Sequence, residues 1–214
     1  MKRNCTVDYG KTDKIQKLAR LLNKRIIGFD IETTGYKDKK IGVTEFAAII
    51  FDANGECDRI NTLINPGDLA FNPYAMKISH LSPRLLAGAP DYADQIGPFV
   101  LNNQDALWVG YNSNSCDLPI LMKEHARLSI GAPVFPHRLD VLRLIKNLAH
   151  LNLSGSLSEV TAKINPTFVM DAHVALADVS MTIFTLEHVL SNCSYKNLIE
   201  FGVLPKKTCS VANT

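Results

Sequence analysis

Two carboxylates on an otherwise apolar segment are the first feature of this sequence that could do chemistry. Residues 26–32 read Ile-Ile-Gly-Phe-Asp-Ile-Glu and predict a β-strand, across which side chains alternate. Asp30 and Glu32 therefore share one face, opposite Phe29 and Ile31. Because an unpaired charge on a central strand costs several kcal/mol, we expect a divalent cation to hold both carboxylates. The alternative is an edge strand on which both side chains face water.

A histidine and an aspartate five residues apart form a second pattern. Residues 172–190 predict a long helix, with His173 and Asp178 near its start. Two residues five apart on a continuous helix are separated by about 140° and cannot share a face. If both serve one site, we expect His173 on the preceding loop or in the first turn. The alternative is a histidine that caps the helix beside a solvated aspartate.

A polar link between a predicted strand at 106–111 and a predicted helix at 117–128 forms the third pattern. Asp117 begins that helix, where the helix dipole stabilises a carboxylate by ~0.3–1 kcal/mol. Asp117 is therefore predicted either as a structural N-cap or as a further carboxylate of a functional site.

The rest of the chain predicts the elements that must position these groups. Strands at 41–52 and 57–64 follow the first strand through short turns, which indicates an antiparallel meander. Further elements are helices at 13–24, 91–101, 141–149 and 156–164, and a short fifth strand near 137–139. Strands first, then strands alternating with helices, indicate a mixed-sheet α/β domain flanked by helices.

In this order, the three patterns resemble the three exonuclease motifs of the DnaQ-like proofreading exonucleases, in the subgroup with a catalytic histidine. The resemblance covers about residues 25–190 and is carried by three stretches: Phe29-Asp-Ile-Glu-Thr-Thr-Gly35, Asn112 to Asp117, and His173-x-Ala-Leu-x-Asp178. The middle motif of the family commonly reads His-Asn-x-x-Phe-Asp. Here Tyr111 and Cys116 replace the His and the Phe, and one extra residue separates Asn112 from Asp117, as in some members.

The resemblance implies a ribonuclease-H-like α/β fold with a mixed five-stranded sheet, in which strands one to three are antiparallel. It implies hydrolysis of single-stranded or frayed DNA from the 3′ end to nucleoside 5′-monophosphates, with two Mg²⁺ or Mn²⁺ ions. The implied metal ligands are four carboxylates: Asp30, Glu32, Asp117 and Asp178. His173 is the implied general base, since the pKa of a free imidazole, ~6.5, suits proton transfer near neutrality.

Substrate contacts follow from the same resemblance. The implied contacts with the terminal nucleotide lie at the end of the first strand: Thr33, Thr34 and Gly35. Asn112 is implied to position the substrate strand. Residues 78–82, Ile-Ser-His-Leu-Ser, resemble the family's nucleotide-contacting Ile-His-Gly-Ile-Thr segment, with His80 one place out of register. His80 is thus predicted either as a contact or as an exposed loop histidine. Glu45 is predicted at a sheet edge or facing a loop, with a place beside the metals as the alternative.

Composition and charge describe an ordinary globular protein of 214 residues, 46% hydrophobic and 21% charged, and exclude a disordered chain. Residues 1–25 carry eight basic and two acidic side chains, which predicts either a nucleic-acid contact or a solvated helix. Five widely spaced cysteines without a Cys-x-x-Cys pair indicate reduced intracellular thiols. The longest apolar run, Phe46 to Phe51, is far too short to span a membrane. We therefore expect a soluble, cytoplasmic protein.

These patterns predict three parts: a basic helical extension at 1–24, an exonuclease domain at 25–192, and a C-terminal helix and loose tail at 193–214. The expected partner is nucleic acid with a free 3′ end, single-stranded DNA before RNA. The protein would act alone or as a proofreading subunit beside a polymerase on another chain. Two alternatives stay open: a ribonuclease or short-oligonucleotide hydrolase of the same family, and a non-catalytic interaction module on the same fold. The four acids and the histidine argue against the module.

Overall fold

Five strands form one mixed sheet in the computed structural model, which describes residues 9–35, 40–168, 170–171 and 173–204. The strands are β1 (Ile26–Thr33), β2 (Val43–Asp52), β3 (Gly55–Leu63), β4 (Leu107–Gly110) and β5 (Arg138–Asp140). Their order across the sheet is β3-β2-β1-β4-β5. The pairs β1–β2 and β2–β3 are antiparallel, and the pairs β1–β4 and β4–β5 are parallel. The predicted fold class is confirmed, and the edge-strand alternative for β1 is wrong because β1 is the central strand.

Helices connect the strands and cover both faces of the sheet. They are α1 (Asp13–Leu22), α2 (Pro73–Ser79), α3 (Pro83–Leu86), α4 (Tyr92–Asn102), α5 (Asp117–Leu128), α6 (Val141–Asn147), α7 (Leu157–Ile164), α8 (Ala175–Ser191) and α9 (Tyr195–Glu200), with a 3₁₀ turn at Ala149–Leu151. The core on one face includes side chains of α1, α6, α7 and α8, and the core on the other face includes side chains of α4 and α5. Each core therefore receives every second residue of the central strands.

The two faces of β1 differ as its sequence predicts. Ile26 packs into the core beneath α8, whereas Ile27 and Phe29 pack into the core beneath α4 and α5. By alternation, Asp30 and Glu32 lie on the α8 face. A Cβ atom on Gly28 would lie 2.5 Å from Cδ1 of Ile183, so the glycine lets α8 approach β1 closely. This approach brings the first turn of α8 next to the two carboxylates.

The basic head contributes a helix to the same core. α1 packs against α8 and β2, and buries Ile15, Leu18 and Ala19. Its first turn is capped from across the interface, because the Glu187 carboxylate accepts hydrogen bonds from the backbone N–H groups of Lys14 (2.8 Å) and Ile15 (3.0 Å). Packing on α8 and the hydrogen bonds to Glu187 therefore fix the position of α1.

The predicted boundaries at residues 24 and 192 stay predictions about domain organisation. Residues 1–8 of the basic head and residues 205–214 of the predicted tail lie outside the described residues. The predicted C-terminal segment contains α9, whose Leu198 is buried in the core beneath α8. Among the described residues, no helix combines the length and the apolarity that a bilayer crossing requires.

Candidate active site

β1 and its neighbour β2 place three carboxylates at one end of the sheet. Glu32 is 5% exposed and pairs in register with Glu45 on β2, which is completely buried. Burial raises the pKa of Asp30 well above its usual range, and the charges of Asp178, Asp117, Glu32 and Glu45 add to that rise. Glu45 is therefore close enough to act on the site acids, and its predicted place at a sheet edge or loop is wrong. The structure places Glu45 beside the cluster, as the alternative prediction stated.

The N-terminal end of α8 adds an aspartate and a histidine. His173 precedes the helix and has a left-handed φ of 65°, while Asp178 lies in the first turn. The backbone N–H of His173 donates a hydrogen bond of 3.0 Å to Oδ2 of Asp178. Glu32, His173 and Asp178 each offer one possible ligand atom, and these three atoms lie within 4.8 Å of one another. The loop conformation of His173 thus allows the two side chains to share a site that a continuous helix would forbid.

Asp117 reaches the cluster from the other side of the sheet. It is the first residue of α5 and is 9% exposed, and the N-cap residue is Cys116. The pKa of Asp117 is raised to about 7, chiefly by burial and in part by the charges of Asp140 and Asp178. Hydrogen bonds from the backbone N–H groups of Asp117 and Ile31 act in the opposite direction. Asp117 thus lies close enough to the backbone of β1 for Ile31 to act on its carboxylate, and the N-cap of α5 is Cys116 instead.

The donor set of this cluster fits a divalent cation. The pKa of Asp178 is raised to about 7, chiefly by burial. The charge of Glu45 adds to the rise, and the hydrogen bond from the backbone N–H of His173 opposes it. Several acids held together in a buried place repel one another, and a cation is the most direct compensation. Carboxylate oxygens, which make up most of the set, suit hard cations such as Mg²⁺ or Mn²⁺. Glu32, His173 and Asp178 together could hold such an ion.

The raised pKa values predict how stability depends on pH when no metal is present. A carboxyl whose pKa is higher in the folded chain than the ~3.9 of a free aspartate binds its proton more tightly when folded. The metal-free protein is therefore expected to lose stability as pH rises from ~4 through about 7, the pKa of Asp117 and Asp178. The Tm measured in EDTA should fall across this range by the equivalent of a few kcal/mol.

Mn²⁺ should reverse that loss above neutral pH, because binding to the ionised carboxylates stabilises the folded state. The matched variant is Asp178→Asn, which removes one ionisable group and should flatten the fall of Tm with pH. The same pH profile for wild type and Asp178→Asn, both in EDTA, would show that the site acids do not control it.

The predicted substrate contacts after β1 are engaged in the turn that follows the strand. Oγ1 of Thr33 donates a hydrogen bond to the carbonyl oxygen of Gly35 (2.9 Å), and Oγ1 of Thr34 accepts one from the backbone N–H of Gly42 (3.1 Å). The carbonyl oxygen of Thr34 accepts a bond of 2.7 Å from the backbone N–H of Asn72, at the start of α2. These bonds fix the shape of the turn beside the carboxylates.

The two other predicted contacts lie on separate loops. Asn112 follows β4 with a left-handed φ of 59°, and its Nδ2 donates to Sγ of Cys116 (3.3 Å) within the same loop. His80 is the C-cap of α2, has a φ of 57° and is exposed. The structure therefore places Asn112 on the loop that carries Asp117, and it leaves His80 open both as a contact and as an exposed loop histidine.

Asp140 is a site residue that sequence reasoning missed. It ends β5, is completely buried, and accepts hydrogen bonds at Oδ1 from the backbone N–H groups of Asn112 (3.1 Å) and Arg143 (3.2 Å). Its Oδ2 accepts a bond of 3.2 Å from the backbone N–H of Asn114. One carboxylate thus caps α6 and clamps the loop that presents Asp117. The position of Asp140 directly before a predicted helix indicates an N-cap, but no sequence pattern indicates its bonds to Asn112 and Asn114.

Comparison with protein families and known proteins supplies independent findings. A family model described as Exonuclease (RNase T) matches residues 27–186, which include every residue of the cluster. Over 86 residues, the chain is 34% identical to the DNA polymerase III subunit epsilon of Treponema pallidum (strain Nichols), and the match covers 40% of each chain.

Solved structures share the fold at lower identity. Exonuclease I of E. coli, in complex with a dA16 oligonucleotide, has a TM-score of 0.70 and 20% identity, covering 83% of this chain and 42% of that chain. Exonuclease X, in complex with 5′ overhanging duplex DNA, has a TM-score of 0.59 and 21% identity, covering 82% of this chain and 97% of that chain. This chain therefore spans about two fifths of the length of the epsilon subunit and of exonuclease I.

Proposed function

This chain belongs to the exonuclease family, and on that premise we propose that it removes nucleotides from the 3′ end of single-stranded or frayed DNA. The products would be nucleoside 5′-monophosphates. The observation that carries this proposal is the convergence of β1, α5 and α8 on one cluster, in which Glu32, His173 and Asp178 lie within 4.8 Å of one another.

In the proposed site, Asp30, Glu32, Asp117 and Asp178 would hold two Mg²⁺ or Mn²⁺ ions. Such ions would supply a lowered pKa of bound water and compensation for the negative charge of the scissile phosphate and the leaving 3′ oxygen. The chain's own part is to hold the four carboxylates in place: the bond from His173 holds Asp178, and the bonds from Asn112 and Asn114 to Asp140 hold the loop that presents Asp117.

His173 takes the proton from the attacking water in this proposal. It is exposed, so its imidazole can exchange the proton with solvent after each turnover. Its backbone N–H is bonded to Asp178, which ties the position of the histidine to that of a proposed metal ligand. The same arrangement would also suit a direct metal contact by the imidazole, and the two roles are separable by experiment.

The substrate assignment draws on the relatives. Structures of exonuclease I contain a dA16 oligonucleotide or single-stranded DNA, and the structure of exonuclease X contains an overhanging duplex, which supports an accessible DNA strand as substrate. The likeness to an epsilon subunit supports proofreading or repair work beside a polymerase on another chain. A ribonuclease or short-oligonucleotide hydrolase would use the same phosphodiester chemistry, and an interaction module would use none.

The test is cleavage of matched single-stranded DNA and RNA oligomers, each labelled at the 5′ end, with Mn²⁺ present. We expect a ladder of labelled products shortened stepwise from the 3′ end, formed faster from DNA. Faster cleavage of RNA would assign the protein to the ribonuclease alternative. No cleavage of either strand, by protein whose Tm responds to Mn²⁺, would favour the interaction module.

Asp140→Ser tests how the loop that carries Asp117 is held. Serine is a good helix cap, but its short hydroxyl cannot reach the amides of both Asn112 and Asn114. Because the loop loses its clamp, we expect kcat/KM to fall by about 10–100-fold and more Mn²⁺ to be needed for half-maximal activity.

The control for that variant is Ser194→Ala, which removes the N-cap hydroxyl of α9. It should lower the Tm by a few degrees without changing the Mn²⁺ dependence. If Asp140→Ser also lowers only the Tm, Asp140 serves α6 and not the active site.

A further inference from the structure

We infer that a groove between α5 and the segment before β5 binds the nucleic-acid strand on the 5′ side of the cleaved nucleotide. This inference rests on the proposed function and adds a second part to its substrate site. We call the feature the α5 groove; it has a volume of about 560 Å³ and is lined in part by Asn114, Leu118, Met122, Val134, Arg138 and Arg143.

The α5 groove begins at the proposed catalytic centre. Asn114 lies on the loop clamped by Asp140, and Leu118 directly follows Asp117 in the first turn of α5. Asn114 and Arg143, which both line the groove, donate backbone N–H bonds to Asp140. One edge of the groove therefore lies beside the loop that presents Asp117, and the upstream nucleotides of a strand whose 3′ end is held by the carboxylates can reach it.

The surface of the groove is apolar where a base could lie. Met122 is 50% exposed and Val134 is 58% exposed, although both are large apolar side chains. Pro133, Pro136 and the buried Phe135 complete this surface. Apolar side chains can pack against the face of any base, which suits binding without sequence preference.

Two guanidinium groups stand where phosphates could lie. Arg138 and Arg143 are exposed, and among the described residues that line the groove none is acidic. Arg138 donates to the carbonyl oxygen of Phe135 (2.9 Å), which holds its side chain at the groove without neutralising its charge. Positively charged groups that follow the phosphate backbone are one part of a single-strand site.

The basic head is a less suitable place for the strand. Glu187, which caps α1, lies nine residues beyond Asp178 on α8, about 13.5 Å along the axis and away from the carboxylates. Arg20 donates to the carbonyl oxygen of Ala53 at the far end of β2 (2.5 Å), and Lys24 forms an ion pair with Asp105 (2.5 Å). In the α5 groove, by contrast, the backbone N–H of Arg143 bonds to Asp140, which clamps the loop that presents Asp117.

The experiment compares two substrates that differ in the upstream strand. One is a single-stranded DNA oligomer, and the other is the p-nitrophenyl ester of thymidine 5′-monophosphate, which has one phosphodiester and no upstream nucleotides. In the double variant Arg138→Gln/Arg143→Gln, we expect the KM for the oligomer to rise about tenfold more than the KM for the ester. The slope of log KM against log salt for the oligomer should decrease by about 1.4, for two lost phosphate contacts.

Two further variants complete the test. Met122→Ser/Val134→Ser should raise the KM for the oligomer without changing the salt slope, because it removes apolar surface and no charge. Lys17→Gln/Arg20→Gln removes two charges from α1 and should leave both quantities as in the wild type. Equal KM changes for oligomer and ester in the groove variants, or an equal effect of the α1 variant, would overturn the inference.

A protein partner at the groove is a distinguishable outcome. If the groove variants alter the mass of the protein in light scattering and leave the KM for the oligomer unchanged, the surface is an interface between chains and the inference is wrong. If the wild type cleaves neither substrate with Mn²⁺, the proposed function fails instead, whatever the groove variants do.

Discussion

Asp30→Asn is expected to lower kcat by about a thousandfold or more. Asp30 lies in the field of Asp178, Asp117, Glu32 and Glu45, so its charge is part of what would hold a metal ion in place. Loss of a metal contact removes several kcal/mol of transition-state stabilisation, and each ~1.4 kcal/mol is a factor of ten in rate. The measurement is single-turnover release of nucleotides at saturating Mn²⁺.

The same variant should be more stable than the wild type when no metal is present. Asparagine keeps the shape of the side chain and removes one of several charges that repel one another. We therefore expect a higher Tm in EDTA and a smaller rise of Tm on addition of Mn²⁺.

Asp58→Asn, at an exposed position on the edge strand β3, is the matched control and should change neither quantity. Near-wild-type turnover by Asp30→Asn would remove Asp30 from the proposed ligand set.

His173→Gln is expected to lower kcat by about 10²–10⁴-fold, the usual contribution of a positioned general base. Glutamine retains the backbone N–H that bonds to Asp178 but cannot take up a proton. If His173 is the base, the KM and the Mn²⁺ concentration at half-maximal activity should stay close to those of the wild type.

A different result would assign His173 to the metal. Its ring lies with Glu32 and Asp178 in one group that could hold an ion. If the imidazole is a ligand, His173→Gln should raise the Mn²⁺ concentration needed and reduce the Mn²⁺-induced rise in Tm. His150→Gln, at an exposed position on the 3₁₀ turn, is the control for loss of a histidine elsewhere. Turnover by His173→Gln equal to that of this control would contradict both roles.

Local sequence patterns predicted the central strand well, for physical reasons. Strand alternation gave the faces of Ile27, Phe29 and the two carboxylates, because a period of two holds in any sheet. Helical geometry required His173 to precede α8 if it shares a site with Asp178, and its left-handed backbone agrees. Both inferences depend only on residues that lie a few positions apart in the sequence.

Features set by long-range packing were not predictable in the same way. Glu45 was placed at an edge or loop, and it is buried because β2 pairs with β1 on one side and β3 on the other. Glu187 caps α1 from more than 170 positions away. Asp140 clamps the loop of Asn112 across 28 positions. Each contact depends on which elements become neighbours, and no local pattern specifies that.

The α5 groove has the same origin. Its side chains come from the loop after β4, from α5, from β5 and the segment before it, and from α6. None of these segments is amphipathic in a way that marks a binding surface alone. The sequence pointed instead to the charge-rich residues 1–25, because a local charge excess is visible in a sequence and a composite groove is not.

The most direct test of the central claim is the identity and metal dependence of the first product. Wild-type protein should release a labelled nucleoside 5′-monophosphate from a single-stranded DNA oligomer that carries the label in its 3′-terminal nucleotide. This release should require Mn²⁺ or Mg²⁺, stop in EDTA and be absent in Asp30→Asn. Cleavage that persists in EDTA, or internal fragments that appear before the labelled mononucleotide, would contradict a metal-dependent 3′→5′ exonuclease.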